Sequence, residues 1–358
     1  MKVCWLTSVA APYTIRLFEQ IGRSIDLYVV MDDKKEANRS SEWILPEESS
    51  FSLYRIDKDY SKKIKELAEI CDILIDGIYL SRYGFEAVSA FKKKDKKVLM
   101  AADGGIAKDR GFLINRIMSY LMGRHDHFLS SSSFTDRYFL YYGVKKEKIF
   151  HYRFTSLDEK DIVENHKISK DKKLLREQLG MSDRFTMISV GQPIPRKGFD
   201  ILVKAYKQSG LSDQIDLYIV GGEAQKQVAQ YVEENHLDNV HFIGLLSKKE
   251  LNRYYGASDL FILPTREDIW GLVIEEAMSF GLPVITSDNC VCGLHFNQID
   301  EGVAVCKNLD VDAYARQIRR FYEAKDTIFE ISQGVYEAVR PYTIENSSRD
   351  ILNVLSLL

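Results

Sequence analysis

Along most of this chain, short runs of aliphatic and β-branched residues alternate with stretches in which apolar positions recur every three or four residues. The uninterrupted runs predict strands near Val3–Thr7, Asp26–Met31, Ile73–Ile75, Lys97–Ala101, His127–Ser130 and Lys148–Tyr152. A second series follows near Phe185–Val190, Ile215–Val220, Val240–Ile243, Leu260–Pro264, Pro283–Ser287 and Val303–Val305. Between them the helical period predicts helices over Tyr13–Gly22, Ser133–Gly143, Gly198–Ser209 and Glu223–Glu234, and a last one over Tyr342–Leu358 capped by Thr343. Strands without polar alternation, separated by helices, belong in parallel sheets covered on both faces. Twelve strands suit two six-stranded sheets better than one.

The charged stretch Leu157–Lys173, "LDEKDIVENHKISKDKK", has few large apolar residues and reads as the join between the two series. Its placement predicts a first domain over 1–165, a second over 166–340, and a terminal helix over 341–358. A length of 358 residues also favours two cores over one. Hydrophobic residues at 45% and charged residues at 28% are those of a globular protein, and a net charge of −3 argues against a nucleic-acid binder. The five cysteines, odd in number and set mostly in apolar runs, fit a reducing compartment. No apolar run approaches the ~20 residues of a membrane span, and "MKVCWLTSVAAPY" reads as a first strand and not a signal peptide. A cytoplasmic protein is expected.

Because ligands of parallel sheets bind beyond the carboxyl ends of the strands, polar residues directly after strands are the candidates. "GQPIPRKGFD" (191–200) follows one strand: Gly191 allows a tight turn, and Arg196 and Lys197 stand at a helix start. That is either a phosphate-binding turn or a surface turn with solvated charges. Gly222 ends another strand, and Gly244 leaves the backbone beside Leu245 open to a flat ring. "TREDIWGLVIEEAM" (265–278) follows a third. Glu267 and Asp268 precede Trp270-Gly271-Leu272-Val273, and Glu275 and Glu276 come after it. Acids there either complement a helix N-terminus or accept hydrogen bonds from ligand hydroxyls.

Taken together, "VGQPIPRKGFDILVKAY", "LYIVGG", "VHFIGLLS", "SDLFILPTREDIWGLVIEEAMSFGLPVI" and "GLHF" resemble the nucleotide-binding half of family 4, group 1 type glycosyltransferases. The likeness is close over roughly residues 185–300 and looser through "PYTIRLFEQIG", "ADGG" and "YTIENSSRDIL". It implies the α/β GT-B architecture, two Rossmann-like domains whose parallel sheets face across a deep cleft. It further implies transfer of sugar, with retention, from a nucleotide-sugar donor to a glycan or lipid-linked glycan in surface-polysaccharide assembly. No metal and no cofactor beyond that co-substrate are implied, and a UDP-sugar is the expected donor. An enzyme acting on a protein or small metabolite, or a non-catalytic partner of an active glycosyltransferase, are the other readings.

The family carries two acids eight positions apart, the second just before Ala-Met, which makes Asp268 the first and Glu276 the second; Glu267 and Glu275 form an equally spaced pair one residue out of step. By resemblance Asp268, with Glu267 sharing its role, engages the transferred sugar, and Glu276 holds the ribose. Lys197 with Arg196 neutralises the diphosphate, Arg196 compensating for Gln192 where the family often has arginine. Gly191, Gly222, Gly244, Leu245 and the amides of Trp270, Gly271, Leu272 and Val273 complete the donor site. On the acceptor side the loop Ser8–Pro12, Tyr13, Arg16 and above all Asp103 are the candidates. His125 and His127 read as surface or structural residues. Five lysines in 92–97 and the segment "GFLINRIMSYLMGR" (111–124) admit two readings. One is peripheral contact with the inner membrane face; the other is a core helix beside a solvated lysine face.

Overall fold

The computed structural model describes residues 1–8, 11–32 and 49–358; Val9 and Ala10 of the loop named above lie outside them. The chain divides into two compact units: Met1–Ser156 with Tyr342–Leu358, and Leu157–Pro341.

The first unit holds a parallel sheet of seven strands, β1 (Lys2–Thr7), β2 (Asp26–Met31), β3 (Ser52–Arg55), β4 (Ile73–Asp76), β5 (Lys97–Ala102), β6 (His127–Ser130) and β7 (Ile149–His151), in the order β3-β2-β1-β4-β5-β6-β7. The sequence pattern missed β3. It is a four-residue edge strand, partly exposed, so it lacks the apolar run that marks the buried ones. Helix Ile344–Ser356 belongs to this unit and packs on helix Pro12–Gly22. Thr343 caps it, its side chain accepting from the Asn346 N–H at 3.2 Å. Arg153 reaches the same helix through both oxygens of Asp350 at 2.8 Å. His125 is buried against the equally buried Asp76 at 3.2 Å, so it is a core tie of this unit.

The second unit holds a six-stranded parallel sheet, β8 (Phe185–Val190), β9 (Ile215–Val220), β10 (Val240–Ile243), β11 (Leu260–Leu263), β12 (Val284–Ser287) and β13 (Val303–Cys306), ordered β10-β9-β8-β11-β12-β13. Every residue of β8, β9, β11 and β12 is buried, as expected of strands covered on both faces. Large side chains such as Leu202, Tyr206, Leu217, Ile318 and Phe321 fill one core beneath them, each contributing roughly 1.5–3 kcal/mol of burial.

The charged stretch expected to link the domains is folded structure instead. It forms helix Glu159–Ile168, a 3₁₀ turn and helix Lys172–Leu179, and the division falls between Ser156 and Leu157. Its polar residues, and Arg176 just beyond them in the same helix, have partners distant in sequence. Asp259 accepts from Arg176 at 2.5 Å, Lys172 at 2.7 Å and the Thr186 N–H at 2.8 Å, and Asn165 donates to Ser279 at 2.8 Å. Ion pairs of this kind look like solvated charge when only one side is in view.

Candidate active site

In a doubly wound sheet the crevice opens where strand order reverses, because the loops on either side run in opposite directions. In the second unit that point lies between β8 and β11. The loops leaving these two strands are 191–198 and 264–271.

The two loops are stitched together by backbone and side chain. The Arg196 carbonyl accepts from the Arg266 N–H at 2.8 Å and from the Thr265 hydroxyl at 2.9 Å. Arg266 spans back, donating to both oxygens of Asp200 at 2.8 and 2.7 Å and to the Pro195 carbonyl at 2.6 Å. That guanidinium holds the Asp200 carboxyl below its usual range. Gly198, left-handed at φ 74°, lets the first loop turn into helix Phe199–Gln208 directly against Pro264.

This register sets Lys197 Nζ 2.7 Å from the Asp268 carboxylate, with Arg196 Nη1 3.4 Å from the same oxygen. Lys197 and Asp268 are only 12% and 15% exposed, while Arg196 is nearly half exposed and also donates to the Glu267 carbonyl at 2.9 Å. The Asp268 N–H donates to the Asn289 carbonyl at 2.9 Å, pinning the acid's backbone to the loop after β12. Two cations and one carboxylate thus meet at the switch point, an arrangement able to take an anion while presenting a hydrogen-bond acceptor beside it.

After Asp268 the chain turns through Gly271, left-handed at φ 103° and N-cap of helix Leu272–Ser279. Trp270 is buried, and its carbonyl receives the Cys290 thiol at 3.0 Å and the Cys292 N–H at 3.0 Å. Burial pushes the Cys290 thiol up to about 12, so it remains protonated and holds the loop. His295 lies 5.9 Å from Trp270, ring centre to ring centre, and burial lowers it to about 4.

The two acid pairs have different surroundings. Glu275 is fully buried and Glu267 exposed, whereas Asp268 meets Lys197, and Glu276 is half-buried near the Tyr255 hydroxyl at 3.5 Å. Gly244 has open space where a side chain would stand, and Leu245 beside it is exposed. Gly191 and Gly222 line the turns after β8 and β9, each within 3.3 Å of a neighbouring side chain were a Cβ present.

In the first unit, Asp103 follows β5 and accepts from the Tyr152 hydroxyl at 3.1 Å, a partner 49 residues away that no local pattern announced. Tyr13 packs edge-on to Phe154 and Arg16 donates to the Ser156 carbonyl at 2.8 Å, so both hold the end of this unit together. Asp103 reaches solvent, yet desolvation raises its carboxyl to about 6, the Tyr152 hydrogen bond opposing. The folded chain therefore holds this proton more tightly than the unfolded one, whose carboxyl titrates near the ordinary ~4. The stability so contributed is complete below about pH 4 and is lost as pH rises through about 6. Asp103→Asn removes the loss, so the variant should gain melting temperature relative to wild type between pH 4 and 7. A difference that stays flat over that interval contradicts the assignment.

Residues 171–336 match the model of the glycosyl transferases group 1 family, a span lying within the second unit. An uncharacterised 41.2 kDa protein of the cps region of Klebsiella pneumoniae is 28% identical over 147 residues, 41% of this chain and 38% of that protein. A GDP-mannose-dependent phosphatidylinositol monomannoside mannosyltransferase of Corynebacterium glutamicum is 31% identical over 125 residues, 32% of this chain and 33% of that one. The aligned stretches thus span well under half of either relative. Among solved structures, HepE of Anabaena in complex with UDP superposes over 100% of both chains with a TM-score of 0.79 at 18% identity. The fold is the GT-B one, two α/β domains each built on a parallel sheet.

Proposed function

We propose that this chain is a retaining, nucleotide-sugar-dependent glycosyltransferase that extends a glycan or lipid-linked glycan in surface-polysaccharide assembly. The observation that carries the reading is the meeting of Lys197 and Asp268 at the β8/β11 switch point, inside the segment that matches group 1 glycosyl transferases.

On this reading the donor's diphosphate takes Lys197 and Arg196, whose charge stabilises the negative charge that builds on the leaving group. Asp268, released from Lys197, accepts from hydroxyls of the transferred sugar, with Glu267 beside it. Glu276 accepts from the vicinal hydroxyls of the ribose. The base lies against the open backbone at Gly244 and Leu245. UDP-sugars are the proposed donors, supported by the UDP complex of HepE, and the cps-region relative supports the polysaccharide setting.

The test is transfer or hydrolysis from a panel of UDP- and GDP-sugars by wild type and Glu276→Ala. Loss of a charged hydrogen bond to ribose should raise the donor KM roughly tenfold to a hundredfold. Normal donor binding and turnover by the alanine variant would remove the ribose role, and no turnover of any donor by wild type would remove the activity itself.

A further inference from the structure

In the second unit three elements border a cavity of about 400 Å³ that shares no residue with the candidate donor site. They are helix Glu159–Ile168 with the 3₁₀ turn after it, the turn Phe280–Leu282, and helix Ile328–Val339. The turn leads into β12, so the cavity stands at the amino ends of the strands. The loops 191–198 and 264–271 leave the opposite, carboxyl ends. Gly281 permits the close packing. At φ 76° it passes so near the last helix that a Cβ would stand 3.1 Å from the Ser332 carbonyl oxygen. The volume falls within the range of small-molecule pockets, roughly 300–1,000 Å³.

The walls define the guest. Phe280 and Leu282 are buried, and Phe280 is held by stacking on Tyr255, ring centres 5.4 Å apart. Phe329, on the helix opposite, is 77% exposed, where a surface helix normally turns a polar residue to water. His166 lies flat on Tyr336, ring centres 4.0 Å apart. Its Nδ1 is shut from solvent yet has no hydrogen-bond partner among the described residues. Such a nitrogen costs free energy that a hydrogen bond to a ligand recovers. Burial, helped by the charge of Lys170, lowers the His166 pKa, so the ring is neutral at pH 7 and able to donate or accept. The lining charge has one sign: Lys170 and Lys172 border the cavity and no aspartate or glutamate does. Lys172 is taken by Asp259 at 2.7 Å, whereas Lys170 has no ion-pair partner among the described residues. Glu337, the acid whose field reaches His166, is itself paired with Arg340 at 3.2 Å.

We propose that this cavity binds a small aromatic acid, its ring between Phe280 and Phe329, its carboxylate at Lys170 and a polar atom at His166 Nδ1. An aromatic body suits walls that offer ring faces and edges, and a rigid ring loses little entropy on ordering. The site is separate from the β8/β11 crossing, and its occupancy stands or falls without the transfer chemistry proposed above.

The experiment is calorimetric titration of 2-naphthoate, and of the uncharged 2-naphthylmethanol, into the full chain. Wild type should take one 2-naphthoate with a Kd on the order of 10–100 µM, and the alcohol about fivefold more weakly. Phe329→Ser should weaken both about tenfold at an unchanged melting temperature, because the ring it removes is exposed. Lys170→Gln should weaken 2-naphthoate about fivefold and leave the alcohol unchanged. His166→Phe, which keeps a ring on Tyr336, should weaken both about threefold. No binding of 2-naphthoate by wild type below about 1 mM overturns the proposal. Wild-type affinity for 2-naphthoate in any of the three variants overturns it too, as does equal affinity of wild type for the two compounds. Displacement of 2-naphthoate by UDP also overturns it, since the compound would then occupy the donor site.

Discussion

Lys197→Ala is expected to lower kcat about 10²–10³-fold with little change in the melting temperature. Its ammonium group is largely shielded from water and sits at the point where β8 and β11 diverge, held by Asp268 at 2.7 Å. A positive charge fixed there before the donor arrives is worth far more than one in bulk solvent, because little reorganisation is needed as charge moves to the leaving phosphate. Arg196, 3.4 Å from Asp268 and nearly half exposed, replaces only part of that field. Steady-state rates with saturating donor decide the matter. A rate within about threefold of wild type would place the leaving-group charge elsewhere.

Gly198→Val is expected to cost about 1–3 kcal/mol of stability and to abolish turnover in the protein that remains folded. Two effects act together. The residue sits at φ 74°, which β-branched side chains strongly resist, and its Cβ would stand 1.9 Å from the Pro264 carbonyl oxygen. That obstacle is backbone, so no rotamer change relieves it. The loops after β8 and β11 must then separate, and the hydrogen bonds from Thr265 and Arg266 to the Arg196 carbonyl go with them. Thermal unfolding and the transfer rate of the folded protein report the two losses separately. A variant as stable and active as wild type would mean that the two loops need not touch.

Much of the architecture is legible because strands buried on both faces are unbroken apolar runs. β2, β6, β8, β9 and β10 have the bounds that their sequence pattern predicts. The exceptions share a cause. β3 is a part-exposed edge, and the Leu157–Lys173 stretch hides its role because Lys172, with Arg176 just beyond the stretch, finds Asp259 more than eighty residues on. The candidate site follows the same rule. Sequence spacing places Lys197 and Asp268 each just after a strand, but nothing local says that those strands are neighbours. That follows from the order β10-β9-β8-β11-β12-β13. The Arg266–Asp200 clamp and the Tyr152–Asp103 bond, joining residues 66 and 49 positions apart, leave no trace in periodicity. Exposure is equally invisible to it: "GFLINRIMSYLMG" would suit a buried helix, and only the packed neighbours reveal that half of it faces outward.

The central claim is that the two cations and the acid at the β8/β11 crossing form the seat of a sugar nucleotide. Calorimetric titration of UDP, GDP and their sugars into wild type and Lys197→Ala tests it most directly. One nucleotide series should bind wild type at micromolar concentration and lose about 1.5–3 kcal/mol in the variant, the value of a charge-assisted bond to phosphate. Equal binding of that series by both proteins, or binding of none by wild type, would contradict it.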